Sequence, residues 1–252
     1  MRVVKVANYE EMSQKAADCI IRQVKEKPDS VLGLATGGTV IGTYQLLAKD
    51  HQKNGTSYRQ ILTVNLDEYI GISSEHEQSY HFYMKKRLFD HIQIPPENTY
   101  LPDGQAEDLE EECKRYDERI ESLGGIDLQL LGIGVNGHIG FNEPGTPFDS
   151  KTHIVELSES TRKANARFFN TLEEVPKKAI TMGIETIMKS KKILLLASGL
   201  KKAPIIRKLF QEGITEEIPA SVLKKHENVV LIADEEALSL VDPVWVETEV
   251  EF

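Results

Sequence analysis

The sequence predicts an α/β fold, a doubly wound, mostly parallel sheet with helices on both faces. Three observations predict it. Short apolar runs recur along the chain, several of them apolar on consecutive residues, as strands covered on both faces require. Helical patterns with apolar spacings of three and four separate them. No internal repeat, low-complexity segment or Ser/Pro linker divides the 252 residues, so one domain over 1–252 is expected.

The elements follow in order. Met12, Ala16, Cys19, Ile20 and Val24 share one helical face, with Asn8 as N-cap and Glu11 three residues on. "SVLGLAT" (30–36) is the first strand, and a glycine turn leads from it into a helix through "VIGTYQLL". "ILTVNLDEY" (61–69) reads as the next strand. Tyr80, Tyr83, Met84 and Leu88 form a second apolar helix face, and Leu109, Cys113, Tyr116, Ile120 and Leu123 a third. Gly124 and Gly125 read as the C-terminus of that last helix. Strands are then expected at "IDLQLLGIG" (126–134), "THIVELS" (152–158), "AITMGI" (179–184), "KILLLAS" (192–198) and "NVVLIAD" (228–234). The stretch 140–178, rich in Gly, Pro and polar residues, is expected to hold a short strand and a short helix and to form a lid-like segment.

Composition narrows the function. The formal net charge is −10 and no Lys/Arg cluster makes a basic face, which argues against nucleic acid as partner. No apolar run approaches the ~20 residues that span a bilayer, so no membrane partner is expected. Cys19 and Cys113 fall among apolar helical positions and read as reduced packing residues. The start lacks an apolar leader, and a cytoplasmic protein acting on a small molecule is expected.

Ligands of such sheets bind outside the carboxyl ends of the strands. Four polar clusters follow strands here. The first is Thr36-Gly37-Gly38-Thr39 in "LATGGT". Glycines admit an anion close to the backbone, the threonines add hydroxyls, and a helix N-terminus follows. No Gly-Lys-Ser/Thr completes a nucleotide P-loop; an ordinary tight turn is the alternative. The second is Asp67-Glu68. Adjacent side chains on a strand face opposite ways, so one carboxylate can enter a site and take a proton from carbon while the other faces away. A helix cap is the alternative.

The third cluster, "LLGIGVNGHIGFNEPG", contains G-x-G-x-x-G at Gly132, Gly134 and Gly137. A dinucleotide site needs a helix to start at the last glycine. "HIGFNEPGTP" holds two glycines and two prolines and cannot start one, so the nucleotide reading fails. A loop presenting Asn136, His138 and Glu143 remains, with histidine as an acid–base group and a carboxylate to orient it. A third nearby ligand is missing, so no metal is expected. The fourth is Ser198-Gly199-Leu200-Lys201. Lys201 and Lys202, with Arg162, Lys163 and Arg167 of "STRKANARFF", are the cations available to neutralise a phosphate. The other histidines, His51, His76, His81, His91, His153 and His226, show no partner pattern and read as structural.

Together "LATGGT", "VNLDEYIG", "SYHFYM", "LLGIGVNGHIGFNEPG", "TRKANARFF" and "AITMGI" resemble the glucosamine-6-phosphate deaminase (glucosamine/galactosamine-6-phosphate isomerase) family, in the family's order and over about residues 30–235. The resemblance implies a Rossmann-like sandwich without dinucleotide. It implies conversion of D-glucosamine 6-phosphate and water to D-fructose 6-phosphate and ammonia, with no metal or redox cofactor. It also implies roles. Asp67 is the base that moves a proton between C2 and C1, His138 opens the sugar ring, and Glu143 orients His138. Thr36, Gly37, Gly38, Thr39, Arg167 and Lys201 hold the 6-phosphate.

Two departures matter. Many members carry Asp where this chain has Asn136, which orients by hydrogen bonding but cannot exchange protons. Allosteric members carry basic residues in the stretch matching 151–155 and a longer tail; here "KTHIV" keeps Lys151 alone. The sequence therefore predicts no strong activation by N-acetylglucosamine 6-phosphate, speaks against the accompanying hexamer, and leaves the oligomeric state open. Two rivals are a 6-phosphogluconolactonase-like hydrolase, against which "FNEPG" argues, and a sugar-phosphate effector domain of a transcription regulator. The regulator would need a helix-turn-helix, and residues 1–29 hold a single helix pattern.

Overall fold

A computed structural model describes residues 1–157, 162, 171 and 174–245. Its centre is a seven-stranded, all-parallel sheet. The strands are β1 (Arg2–Val6), β2 (Val31–Leu34), β3 (Leu62–Asn65), β5 (Thr99–Tyr100), β6 (Leu128–Gly132), β9 (Ile193–Ala197) and β10 (Val229–Asp234). They lie in the order β1-β10-β9-β6-β2-β3-β5. From β2 the chain steps one way to β3 and β5, then returns to the other side of β2 for β6, β9 and β10. Right-handed crossovers in opposite directions put their helices on opposite faces, which is the double winding expected.

The consecutive apolar residues do what their pattern requires: β6 is buried at Leu128–Leu131, and β9 and β10 are buried throughout. Helix α1 (Tyr9–Glu26) starts at Asn8, whose Oδ1 accepts the Glu11 N–H at 2.9 Å, while Glu11 returns a bond to the Ala7 N–H. Helix α2 (Ile41–Asn54) follows the glycine turn after β2 and packs on α1. Helix α3 (Tyr80–Met84) passes through a π turn at Lys85–Phe89 into α4 (Asp90–Ile92). Helix α5 (Leu109–Ser122) buries Cys113, Tyr116 and Ile120, and Gly124 (φ 85°) and Gly125 (φ 78°) end it as predicted. Among the described residues two further α-helices follow, α6 (Ile184–Met188) and α7 (Ala203–Gln211).

The structure corrects three details. "THIVELS" and "AITMGI" do not join the parallel sheet. Their strands, β7 (His153–Glu156) and β8 (Lys178–Thr181), pair antiparallel in a second sheet ordered β4-β8-β7, with β4 (Asp67–Tyr69) at its edge. β7 is only half-buried, so its apolar run does not mark a doubly covered strand. "ILTVNLDEY" is accordingly two strands. At Leu66 the N–H donates to Leu34 O in the large sheet, and the C=O accepts the Met182 N–H beside the small one. β1 and β5 had no counterpart in the sequence reading; β1 is an edge strand and β5 spans two residues. Of the stretch 140–178, residues 158–161, 163–170 and 172–173 lie outside the described residues, and with them the expected short helix.

Candidate active site

The strand order reverses between β2 and β6, and the loops leaving those two strands carry the main motifs. The Thr36–Thr39 turn leaves β2 with Gly37 at φ 95°. Gly37 and Gly38 are exposed, and a side chain at either would meet nothing within 4 Å, so the turn is an open cradle. Helix α2, fourteen residues long, begins just beyond it without a cap from its own N-cap side chain, and the Tyr9 hydroxyl takes the Gly42 N–H of its first turn at 2.8 Å.

Across the switch point, the loop after β6 is shaped by glycines. The His138 imidazole lies against the Cα of Gly134, where any Cβ would collide with the ring. Gly137 takes φ 91° and seats its backbone on Ile218 and Ile205. No helix forms between 138 and 152, so the loop is not a dinucleotide cradle. His138 Nδ1 lies 3.4 Å from Glu143 Oε1, longer than an ordinary hydrogen bond. The other Glu143 oxygen accepts from Asn136 Nδ2 at 2.6 Å, and Asn136 Oδ1 accepts the His138 N–H at 3.3 Å. Asn136 therefore fixes the carboxylate and the histidine backbone together.

Asp67 enters from the small sheet. It opposes Thr181 in the β4–β8 pairing, and Thr181 Oγ1 accepts the Phe141 N–H at 3.0 Å. Between them passes Gly140 (φ 59°), where a Cβ would come within 3.0 Å of Thr181 Oγ1 and 3.6 Å of Asp67 Oδ2. The bare glycine thus lets the histidine loop run directly past Asp67. Asp67 is 6% exposed, and burial first, with the adjacent Glu68 charge second, pushes its pKa up to about 8. Glu68 faces the other way, as strand alternation requires. It accepts the N–H groups of Tyr69, Tyr80 and His81 at 2.7–3.0 Å and meets His81 Nδ1 at 2.8 Å. Glu68 is thus the structural carboxylate of the pair, and His81 has a partner that sequence reading did not give it.

The cations are placed as follows. Lys201 is exposed on a single 3₁₀ turn, Leu200–Lys202. Lys202 is half-buried; its Nζ donates to Ile133 O at 2.5 Å, at the root of the histidine loop, and burial lowers its pKa. The turn is held by Asp234, which accepts from Ser198 Oγ and from the Gly199 and Ala237 N–H groups. Arg162 reaches Val175 O at 3.2 Å. Arg167 and Lys163 lie outside the described residues.

Sequence reasoning missed Thr181, Gly140, Lys202 as the inward lysine, and Tyr80. The Tyr80 phenol donates to the Tyr69 hydroxyl at 3.3 Å, and burial, then Tyr69 and Asp67, raise its pKa well above the ordinary value. Its ring joins Tyr69 and Phe141 at centroid distances of 4.8 and 6.2 Å, forming an aromatic wall beside Asp67. Tyr80 had a sequence signal, its place in "SYHFYM", but that pattern reads as core. Among the described residues no group of three or more His, Cys, Asp or Glu is arranged to hold a metal ion.

Residues 5–232 match the family described as glucosamine-6-phosphate isomerases/6-phosphogluconolactonase. The chain is 66% identical over 241 residues to a glucosamine-6-phosphate deaminase of Geobacillus sp. (strain WCH70), covering 96% of each chain. It is 56% identical to glucosamine-6-phosphate deaminase 1 of Bacillus subtilis (strain 168), covering 95% of this chain and 99% of the relative. It superposes on the solved structure of a monomeric glucosamine-6-phosphate deaminase with TM-score 0.93 and 56% identity, covering 95% and 100% of the two chains. A 6-phosphogluconolactonase from Trypanosoma cruzi gives TM-score 0.77 at 19% identity over 95% and 96%, a likeness of fold alone.

Proposed function

The chain belongs to the glucosamine-6-phosphate isomerase/6-phosphogluconolactonase family, and from that premise and the site's geometry we propose that it converts D-glucosamine 6-phosphate and water to D-fructose 6-phosphate and ammonia. The observation that carries the reading is the meeting of a buried carboxyl, Asp67, with the His138 loop at Gly140.

The steps assign themselves to the groups present. The Thr36–Thr39 turn and the start of α2 receive the 6-phosphate, with Lys202 or Lys201 and Arg167 as the neighbouring cations. His138, oriented by Glu143 and Asn136, shuttles the proton between ring oxygen and anomeric hydroxyl and opens the ring to the aldehyde. Asp67 removes the C2 proton, giving an enolamine, and delivers a proton to C1. The C2–N bond then has iminium character, and water adds there, releasing ammonia and leaving the ketone. A group with a pKa near neutrality suits this double duty, since it must both accept and return a proton. Asn136, unable to exchange protons, supports positioning only.

The 6-phosphogluconolactonase reading shares the fold, but the 56–66% identities to deaminases outweigh a 19% structural likeness. Among the described residues no helix is long and apolar enough to cross a membrane; we place the protein in the cytoplasm, as a single domain working alone like its monomeric relative.

The test is isotopic. In deuterated water the wild type should exchange the C2 hydrogen of glucosamine 6-phosphate. Asp67→Asn should bind the substrate but lose exchange and turnover by roughly 10²–10⁴-fold. Retained exchange in that variant removes Asp67 from the role.

A further inference from the structure

The loop that forms the anion cradle is held by tyrosines from three different helices, and none of them belongs to the catalytic set. Tyr44 of α2, fully buried, donates to Ala35 O at 2.5 Å. Tyr83 of α3 donates to Gly37 O at 2.7 Å. Tyr9 of α1 donates to Gly38 O at 3.1 Å and accepts the Gly42 N–H at 2.8 Å. The Tyr9 phenol lies near enough to Tyr83 to help disfavour ionisation of the Tyr83 hydroxyl, after burial.

The consequence follows from peptide geometry. In a planar trans peptide the C=O and the N–H point in opposite directions. Fixing Gly37 C=O therefore aims the Gly38 N–H away from Tyr83, and fixing Gly38 C=O aims the Thr39 N–H away from Tyr9. Glycine has no side chain to set these two planes, and both glycines are exposed. Left alone, the Gly37-Gly38 pair would sample many orientations, and binding a phosphate would have to order it. We propose that Tyr9 and Tyr83 are positioning residues for the 6-phosphate: their hydroxyls preset two consecutive cradle peptides so that the N–H groups of Gly38 and Thr39 are already turned toward the anion. Tyr44 fixes the stem of the same loop from within the core.

This deepens the deaminase reading and rests on its phosphate site. It makes a separable demand on binding. The phenols touch neither the reacting carbons nor the ammonia, so removing them should weaken capture of the phosphate without slowing the bound substrate. Both tyrosines are only half-buried, so phenylalanine fits in their place.

The experiment compares wild type, Tyr9→Phe, Tyr83→Phe and the double variant. Steady-state kinetics with glucosamine 6-phosphate are measured together with competitive inhibition by inorganic phosphate, and melting temperatures confirm folding. Each single variant should raise KM and the phosphate inhibition constant in parallel, by roughly three- to tenfold, with kcat changed less than about twofold. The double variant should raise both further. Unchanged KM and phosphate inhibition in folded single variants would overturn the proposal, as would a fall in kcat at constant KM. If the double variant does not fold, the single variants decide. A wild type that neither turns over glucosamine 6-phosphate nor is inhibited by phosphate would fail the deaminase reading itself, a result distinct from any difference among the variants.

Discussion

Asp67 is a residue whose proposed role as carbon base works against the stability of the fold. Its carboxyl titrates near about 8 in the folded chain, against ~3.9 for an unfolded aspartate. Between those values the folded chain keeps a proton that the unfolded chain has released. The stability from this group is therefore complete below about pH 4 and is lost as pH rises through about 8. Asp67→Asn cannot titrate, so its melting temperature should gain on the wild type between about pH 6 and pH 8.5, by about 4 °C or more. A gap that stays constant over that range would show that Asp67 is ionised throughout. The placement of Asp67, Asn136, His138 and Glu143 at the ends of strands was legible in the sequence because each lies in a contiguous motif after a strand; their roles are proposals. Thr181, Gly140 and Lys202 were not. Their roles arise from contacts between segments distant in the chain, and nothing local distinguishes Gly140 from its neighbouring loop glycines.

At the scale of elements, the parallel strands and their helices were readable from periodicity. The division into two sheets was not, because it depends on one residue, Leu66, hydrogen-bonding with one sheet through its N–H and beside the other through its C=O. That handover carries Asp67 to the histidine loop. The far end of the sheet is pinned by Asp127, which is buried just before β6. It accepts the Val31 N–H at 2.9 Å, Lys27 Nζ at 2.6 Å and Lys191 Nζ at 2.7 Å. Burial alone would raise its pKa; the bonds from Lys191, Lys27 and Val31 outweigh that and lower it. Its contribution is thus present above the unfolded value of ~3.9 and fades as pH falls through the lower folded value. Asp127→Asn should cost about 1–3 kcal/mol at pH 7 in denaturant unfolding, with kcat unaltered because the site lies at the opposite strand ends. A cost that does not shrink as pH falls through the lowered folded value would mean that the charge contributes nothing.

For the whole molecule, the double winding brings the site together. Outward stepping from β2 in one direction and from β6 in the other opens a crevice at the carboxyl edge. The Thr36–Thr39 turn stands on one side, the histidine loop on the other, and the small sheet brings Asp67, the proposed carbon base, between them. A glycine fingerprint that resembles a dinucleotide site presents Asn136, His138 and Glu143 instead, because no helix follows it. The most direct measurement of this account is the stoichiometry of the reaction by the purified chain. With glucosamine 6-phosphate and no added nucleotide or metal, ammonia and fructose 6-phosphate should appear in equal amounts. Saturable binding of the sugar phosphate without either product would contradict it.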